Sequence, residues 1–322
     1  MTHSLTIRGT GSALPTHTIS NDDLSAFLDT SDEWILSRVG ISSRHVMTTE
    51  TMTQLATDAA QKALDMAGLS PDALALIVCA TLGGDTVSPS LACAVAEQLQ
   101  ITCPALDVNG ACAGFVYALD AANGYFAAHP EAQAILVIAA EQMSRHADWT
   151  DRSTAVLFGD GAGACIVTRG ESLRYSRLST APNTKILKIP STTGNSPFVA
   201  QPRNWQGLQM VGQDVFRFAV TAVEREVRLA CQELGCDLST IDFFLLHQAN
   251  KRILDFVMNR LDQPAEKFPQ NVHDHGNMSA ASVAVLLDEV NRTTPLAGRR
   301  LLLCAFGAGM TLGTCVLDWP TT

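Results

Sequence analysis

Three polar residues that each border an apolar stretch carry the side chains best suited to chemistry in this sequence: Cys112, His247 and Asn277. Cys112 lies where one apolar run turns through small residues into an Ala-rich segment with helical periodicity. At a helix N-terminus, unpaired N–H groups and the helix dipole favour an anion, so we expect this thiol to ionise more easily than a free one. Such a thiol is a candidate nucleophile, and an inert buried cysteine is an equally favoured alternative.

His247 follows the apolar run 241–246, and Asn277 precedes a predicted helix over 279–290. Taken singly, a hydrogen-bonded core histidine and a helix cap are the favoured interpretations. Taken together with Cys112, the pair fits thioester carbon–carbon chemistry. The thiolate would accept an acyl group, while the histidine and the asparagine would donate hydrogen bonds to a developing oxygen anion.

The elements that must position these residues alternate between uninterrupted apolar strands and helices. Strands are predicted over 74–80 and 134–140, which indicates a parallel or mixed sheet covered on both faces. Helices are predicted over 53–67 and from about 214 to 234, and each is followed by a glycine that ends it. Another helix is predicted to open at Ser88-Pro-Ser, with Pro89 in its first turn.

The two parts of the chain repeat each other. Residues 67–78 resemble 234–245, and residues 157–164 resemble 305–312, which indicates a duplicated α/β unit. Residues 155–167 are predicted to form a strand, a glycine turn and a second strand, so the Gly-Asp-Gly-Ala-Gly stretch is not a phosphate loop. Between 171 and 210 the composition shifts to polar and turn residues, which predicts a joint with long loops and the halves 1–170 and 171–322.

The composition excludes several classes of protein. Of the 322 residues, 47% are hydrophobic and 17% are charged, which is typical of a globular chain. The net charge of −10 argues against general nucleic-acid binding. No apolar run reaches the roughly 20 residues of a membrane span, and no basic segment precedes an apolar core at the N-terminus, so we expect a soluble cytoplasmic protein. The nine scattered cysteines show no ligand spacing, so neither disulfides nor a metal site are expected.

Seven motifs in order resemble the β-ketoacyl-acyl-carrier-protein synthase III family, whose members initiate type II fatty-acid synthesis on the thiolase fold. They are Thr30-Ser-Asp-Glu-Trp-Ile, Ala111-Cys-Ala-Gly-Phe, Thr150-Asp-Arg, Phe158-Gly-Asp-Gly-Ala-Gly, His247-Gln-Ala-Asn, Gly276-Asn-Met-Ser-Ala-Ala-Ser and Phe306-Gly-Ala-Gly-Met-Thr. The resemblance covers nearly the whole chain. It implies two duplicated halves with mixed five-stranded sheets in an αβαβα arrangement, assembled as a homodimer.

The resemblance also implies a reaction. Cys112 would take an acyl group from acyl-CoA, with the backbone N–H groups of Cys112 and Ala308 as the oxyanion hole. Malonyl-acyl-carrier protein would then lose carbon dioxide, and neutral His247 and the Asn277 amide would hold the resulting enolate. The CoA thioester is a substrate, and no cofactor is implied.

Substrate-binding residues are implied in the same way. Patterning alone favours a half-buried surface tryptophan at 34, whereas the resemblance places Trp34 and Arg152 on the CoA adenine and Arg38 near the CoA phosphates. For an acidic carrier protein, Arg252 matches the docking arginine. Possible neighbours of Arg252 are Arg217, Lys251 and Arg260.

Departures from the family pattern concern the acyl pocket. Ser88 stands where relatives often carry a bulky aromatic that the partner subunit contributes, so we expect Ser88, with Met143, to favour a primer longer than acetyl. The loop 183–210 departs most. Two alternatives stay open: a related condensing enzyme or acyltransferase of secondary metabolism, and a non-catalytic α/β scaffold.

Overall fold

The computed structural model describes residues 5–194 and 197–321. Residues 1–4, on which the targeting prediction partly rests, and residues 195–196 of the 183–210 loop lie outside the described residues. Among the described residues, no helix is long and apolar enough to cross a membrane.

The described elements follow one another in a strand and helix alternation. The strands are β1 (Thr6–Ala13), β2 (Thr18–Ser20), β3 (Ser43–His45), β4 (Leu74–Ala80), β5 (Ala105–Val108), β6 (Ala134–Gln142), β7 (Asp160–Thr168), β8 (Leu173–Asn183), β9 (Leu187–Lys188), β10 (Gln209–Met210), β11 (Phe243–Leu246), β12 (Arg300–Gly307) and β13 (Gly309–Asp318). The α-helices are α1 (Asn21–Ser25), α2 (Asp32–Val39), α3 (Met52–Ala67), α4 (Leu91–Gln98), α5 (Gly114–Ala128), α6 (Arg152–Ala155), α7 (Gly212–Leu234), α8 (Lys251–Leu261), α9 (Val272–His275) and α10 (Ala281–Thr293). Short 3₁₀ turns are Pro71–Ala73, Ala111–Ala113, Met143–Arg145, Leu238–Thr240 and Ala265–Lys267.

Two mixed sheets form the framework. The first has the strand order β1-β7-β6-β4-β5, in which β4 is parallel to both β5 and β6, while β7 is antiparallel to both β1 and β6. The second has the order β11-β12-β13-β8, with β11 parallel to β12 and the other pairs antiparallel. Among the described residues this second sheet has four strands, one fewer than predicted.

Alternate residues of the strands enter different hydrophobic cores, because successive side chains point to opposite faces of a sheet. In β4, Ile77 packs in the core beneath α3 and α4, and Val78 packs in the central core with α5 and α10. In β12, Leu303 joins the same central core, while Leu302 faces α7 and α8. The layers are therefore α, β, α, β, α, as the resemblance implies.

The repeated sequences adopt the same local structure. Helices α3 and α7 both end at a glycine in the left-handed conformation, Gly68 and Gly235, with φ of 64° at each. A 3₁₀ turn and a strand follow in both places. The duplication predicted from the sequence is thus present in the structure, while the exact division at residue 170 stays a prediction.

Three predictions about local elements were wrong. Helix α4 begins at Leu91 after the cap Ser90, whose side chain accepts from the Cys93 N–H, so Pro89 precedes the helix. The Gly-Asp-Gly-Ala-Gly stretch lies mostly inside β7, and no strand forms over 155–158, where α6 ends. The stretch 171–210 contains the eleven-residue β8, which was missed because this edge strand is largely exposed and carries few apolar residues.

Candidate active site

Residues from both halves line one cavity of about 1330 Å³. Cys112, His247, Asn277 and Ala308 all contribute to its wall. The structure thus brings together side chains and backbone groups that lie as much as 196 residues apart in the chain, from 112 to 308.

Cys112 lies in the 3₁₀ turn that leads directly into α5. The turn begins with Ala111 in a left-handed conformation (φ 49°), and the Ala111 N–H donates to Oδ1 of Asn109 at 3.1 Å. The end of β12 passes close to this turn, because a Cβ added at Gly307 would lie 2.5 Å from the Cys112 nitrogen. A glycine at 307 is therefore what allows the second sheet to approach the nucleophile.

The expectation of an easily ionised thiol was wrong. Burial raises the pKa of Cys112 to about 12, the neighbouring Ser279 hydroxyl lowers it, and the charge of Glu141 raises it further. Removing the thiolate from water costs more free energy than its hydrogen bonds recover. Cys112 is therefore a neutral thiol at neutral pH and must lose its proton to act as a nucleophile.

His247 lies at the end of β11 and is 3% exposed. Its ring meets Phe306 edge-on with the centroids 5.3 Å apart, and burial lowers the pKa of the imidazole to about 3. Among the described residues, Nδ1 has no hydrogen-bond partner. An unpaired lone pair costs less than an unpaired N–H, so the neutral ring is best satisfied with its proton on Nε2.

Asn277 is not the helix cap that its position suggested. Helix α10 begins at Ala281 without a side-chain cap. The backbone of Asn277 instead pairs with Leu157 O at 2.8 Å and with Gly159 N at 3.2 Å. Its side-chain Oδ1 accepts from the Ser279 N–H at 2.9 Å, which leaves the amide hydrogens as the donors that this side chain offers to the cavity.

The aromatic and basic residues predicted to bind CoA form a connected group. Trp34 and Arg38, one turn apart on α2, line the cavity. The Arg152 guanidinium lies 5.0 Å from the centre of the Trp34 ring, and it donates to the backbone oxygen of Asp29 at 2.6 Å. Arg152 is absent from the described lining residues. It contacts Trp34, which does line the cavity.

The predicted docking residues divide into two groups. Arg217 and Arg252 line the cavity, and Arg252 lies 5.7 Å from the Phe216 ring. Lys251 and Arg260 are outside its described lining. Lys251 pairs with Asp255 at 2.7 Å and Arg260 with Glu224 at 3.4 Å, and Arg217 in the cavity wall also pairs with Asp214.

Of the two predicted acyl-pocket residues, only one lines the described cavity of its own chain. Met143 is 2% exposed and lines the cavity. Ser88 is exposed and lies outside the described cavity lining of its own chain, next to the fully exposed Val87. Ser88 therefore does not line the cavity of its own subunit, and its role in the acyl pocket of the partner subunit stays a prediction.

Three further residues at or behind the site were missed by sequence reasoning. Ser279 and Arg145 line the cavity, and Ser279 accompanies the catalytic candidates in the Asn277 motif. Behind Ser279 lies Glu141, which is 1% exposed and accepts the Ser279 hydroxyl at 3.0 Å. A single acid directly after the apolar run 134–140 was the signal that could have identified Glu141.

Comparison with known proteins gives the family. A family model of 3-oxoacyl-[acyl-carrier-protein] synthase III matches residues 106–185, and a model of the C-terminal part of the same enzyme matches residues 231–319. A beta-ketoacyl-[acyl-carrier-protein] synthase III of Xanthomonas campestris pv. campestris is 43% identical over 97% of this chain and 98% of its own. The chain belongs to the β-ketoacyl-acyl-carrier-protein synthase III family.

Solved structures agree with this membership. The 3-oxoacyl-[acyl-carrier-protein] synthase III of Aquifex aeolicus superposes with a TM-score of 0.90 at 38% identity, covering 98% of this chain and 100% of its own. The priming β-ketosynthase of the R1128 polyketide pathway also gives 0.90, at 32% identity over 98% and 96% of the two chains. This protein is therefore an acyltransferase of the condensing-enzyme type with the family's layered fold.

Proposed function

We propose that this protein condenses an acyl-CoA primer with malonyl-acyl-carrier protein, releasing CoA and carbon dioxide and forming β-ketoacyl-acyl-carrier protein. The observation that carries the proposal is the meeting of Cys112, His247 and Asn277 in one cavity of a member of this family. The choice of partner is supported by the relatives from Xanthomonas campestris and Aquifex aeolicus, both of which are named as acyl-carrier-protein synthases.

The first half-reaction is acyl transfer. The Cys112 sulfur attacks the thioester carbonyl of acyl-CoA, and the backbone N–H groups of Cys112 and Ala308 stabilise the oxygen anion that forms. The carbon–sulfur bond to CoA breaks, CoA leaves as its thiol, and the acyl group stays on Cys112.

The second half-reaction is decarboxylation and carbon–carbon bond formation. The malonyl carboxylate leaves as carbon dioxide, and the electrons of the broken bond form an enolate. A neutral His247 with its proton on Nε2 and the Asn277 amide donate hydrogen bonds to the enolate oxygen. The enolate carbon attacks the acyl carbon, and the bond from that carbon to the Cys112 sulfur breaks. The sulfur then takes a proton from solvent, which restores the thiol.

Trp34, Arg38 and Arg152 bind the CoA nucleotide in this proposal, with the adenine on the Trp34 face that Arg152 now covers. Arg252 and Arg217 receive the acidic carrier protein near the cavity mouth. The protein acts without metal or cofactor, in the cytoplasm, as a homodimer, and the division into halves at residue 170 belongs to the same proposal.

The test combines a mass measurement with a product measurement. Incubation with acyl-CoA should add one acyl mass to Cys112, and addition of malonyl-acyl-carrier protein should release carbon dioxide. Ester or amide formation without carbon dioxide would instead support a secondary-metabolism acyltransferase. If acyl-CoA does not label Cys112, the scaffold alternative is supported.

A polyketide-type condensing enzyme is the closest second candidate, because the R1128 priming synthase matches the fold equally well. Such an enzyme would also become acylated at Cys112 by acyl-CoA and would release carbon dioxide. Competition between the carrier proteins of fatty-acid and polyketide synthesis would separate the two functions, since the preferred carrier is the one with the higher kcat/KM.

A further inference from the structure

A buried carboxyl group lies directly behind the nucleophile and has no part in the reaction outlined above. Glu141, at the end of β6, is 1% exposed. Its Oε2 accepts from the Leu82 N–H at 3.1 Å, and its Oε1 accepts from the Ser279 hydroxyl at 3.0 Å. A buried carboxylate is costly, and one held by two donors beside a cavity needs a reason to be there.

Ser279 connects this carboxyl group to the nucleophile. It is fully buried and lines the cavity with Cys112, and the influence of its hydroxyl lowers the pKa of the Cys112 thiol, which puts the hydroxyl near the sulfur. Its backbone has a positive φ of 50°, which is unfavourable for a residue with a side chain. The Ser279 hydroxyl donates to Glu141 from the same cavity wall that holds Cys112.

We propose that Glu141, acting through the Ser279 hydroxyl, accepts the proton of the Cys112 thiol when Cys112 attacks its substrate. The inference rests on the proposed acyl transfer and adds the route of the proton. Glu141 touches no substrate in this scheme, and its effect passes entirely through Ser279.

The proton balance uses two hydrogen bonds that exchange direction. At the start, the Cys112 S–H donates to Ser279 Oγ, and the Ser279 O–H donates to the Glu141 carboxylate. The thiol proton moves to Oγ as the hydroxyl proton moves to Oε1, which leaves a thiolate that accepts from Ser279 and a neutral Glu141. When CoA leaves, the proton passes from Glu141 through Ser279 Oγ to the departing CoA sulfur, because the Cys112 sulfur now carries the acyl group, and Glu141 is again a carboxylate.

The pKa values of Glu141 and His247 agree with this route. Burial raises the pKa of Glu141 to about 7, so the carboxyl group can both accept and release a proton near neutral pH. Burial lowers the pKa of His247 to about 3, which makes His247 too weak a base for the thiol. The other titratable or charged groups that face Glu141 are Arg145, whose charge favours the carboxylate, and the buried thiol of Cys79.

The test measures Cys112 reactivity without any substrate. The rate of Cys112 alkylation by iodoacetamide is followed by peptide mass from about pH 5 to about pH 9 in the wild type, Glu141→Gln and Ser279→Ala. Glu226→Gln is the matched control, because Glu226 is 2% exposed, pairs with Arg225 and lies outside the described cavity lining. Melting temperature and circular dichroism verify that each variant is folded.

In the wild type we expect the rate to rise with pH through about 7 and then level off, as Glu141 ionises. Glu141→Gln should react about 100-fold more slowly near neutral pH and lose the inflection, which is the size of effect a positioned base supplies. Ser279→Ala should show the same loss although Glu141 is intact, and Glu226→Gln should match the wild type.

Two results would overturn the relay. One is a pH profile of the alkylation rate that is unchanged in Ser279→Ala or Glu141→Gln. The other is slower alkylation that keeps the wild-type inflection near pH 7, which a merely structural role would produce. If Glu141→Gln does not fold, Ser279→Ala decides. Single-turnover acylation by hexanoyl-CoA is measured in parallel: failure of acylation with the expected alkylation profile rejects the proposed function and leaves the relay standing.

Discussion

The backbone N–H of Ser279 donates to the side-chain oxygen of Asn277 at 2.9 Å, and this bond fixes which end of the Asn277 amide is free to donate. Because the oxygen is already occupied, the –NH₂ group is the part available to an oxygen anion in the cavity. His247 supplies the second donor from the same cavity wall.

Removal of either donor should separate the two half-reactions. We expect His247→Ala and Asn277→Ala to keep acylation of Cys112 and to lose decarboxylation about 100- to 1000-fold, the usual cost of removing one oxyanion donor. Intact mass follows the first step and carbon dioxide release follows the second. The exposed His273 provides the control His273→Ala, and loss of acylation in both active-site variants would contradict this division of roles.

His247 should make stability depend on pH in a defined direction. Burial lowers its pKa from 6.5 to about 3, so between these values the unfolded chain binds a proton that the folded chain does not. The contribution of His247 to the free energy of unfolding is therefore complete above pH 6.5 and is lost as pH falls towards 3. Denaturant unfolding of the wild type and His247→Asn at about pH 4 and about pH 7 measures this contribution. An equal difference in free energy of unfolding between the two proteins at both pH values would refute the prediction.

Glu141 should show the opposite dependence. Burial raises its pKa from 4.5 to about 7, so in this window the folded chain binds the extra proton. The contribution of Glu141 is present below pH 4.5 and is lost as pH rises through about 7. The same measurement therefore compares the free energies of unfolding of the wild type and Glu141→Gln. Their difference should change with pH in the direction opposite to that seen for His247→Asn.

The contact between Trp34 and Arg152 provides a test of nucleotide binding. Trp34→Ala and Arg152→Ala should raise KM for acyl-CoA about tenfold, because a stacked ring and a cation–π partner are lost. A thioester of N-acetylcysteamine lacks the nucleotide and serves as the control substrate. Equal effects on both substrates would show that the pair supports the structure and does not bind CoA.

The difference between the basic residues predicts which of them guide the carrier protein. Arg252→Glu and Arg217→Glu should raise KM for malonyl-acyl-carrier protein about tenfold at low salt, and less at high salt, because exposed charges are screened. Lys251→Glu is the matched comparison, because Lys251 lies outside the described cavity lining. A larger effect at Lys251 than at Arg252 would place the docking surface elsewhere.

The small side chain of Ser88, at a position that the partner subunit is expected to contribute to the acyl pocket, leads to a prediction about primer length. We expect the wild type to prefer butyryl- to octanoyl-CoA over acetyl-CoA, and Ser88→Phe to shift the ratio of kcat/KM values towards acetyl-CoA by about tenfold. Single-turnover acylation with the series of primers measures the ratio. A clear acetyl preference in the wild type would reject this role for Ser88.

The sequence by itself determined the local structure around the reactive groups. The pattern of apolar runs and small residues placed Cys112 between β5 and α5, and the glycines at 68 and 235 marked the ends of α3 and α7. These features depend on near neighbours in the chain, so local periodicity and turn chemistry predict them. The family motifs added the roles proposed for His247 and Asn277.

Only the tertiary structure decided how the groups act on one another. Glu141 and Ser279 are 138 residues apart, and Trp34 and Arg152 are 118 residues apart, so no local pattern reports their contacts. The dipole argument from sequence predicted an acidic thiol at Cys112, whereas desolvation of this partly buried thiol raises its pKa to about 12. Desolvation depends on everything packed around a group, and this is why the ionisation of Cys112, His247 and Glu141 belongs to the fold.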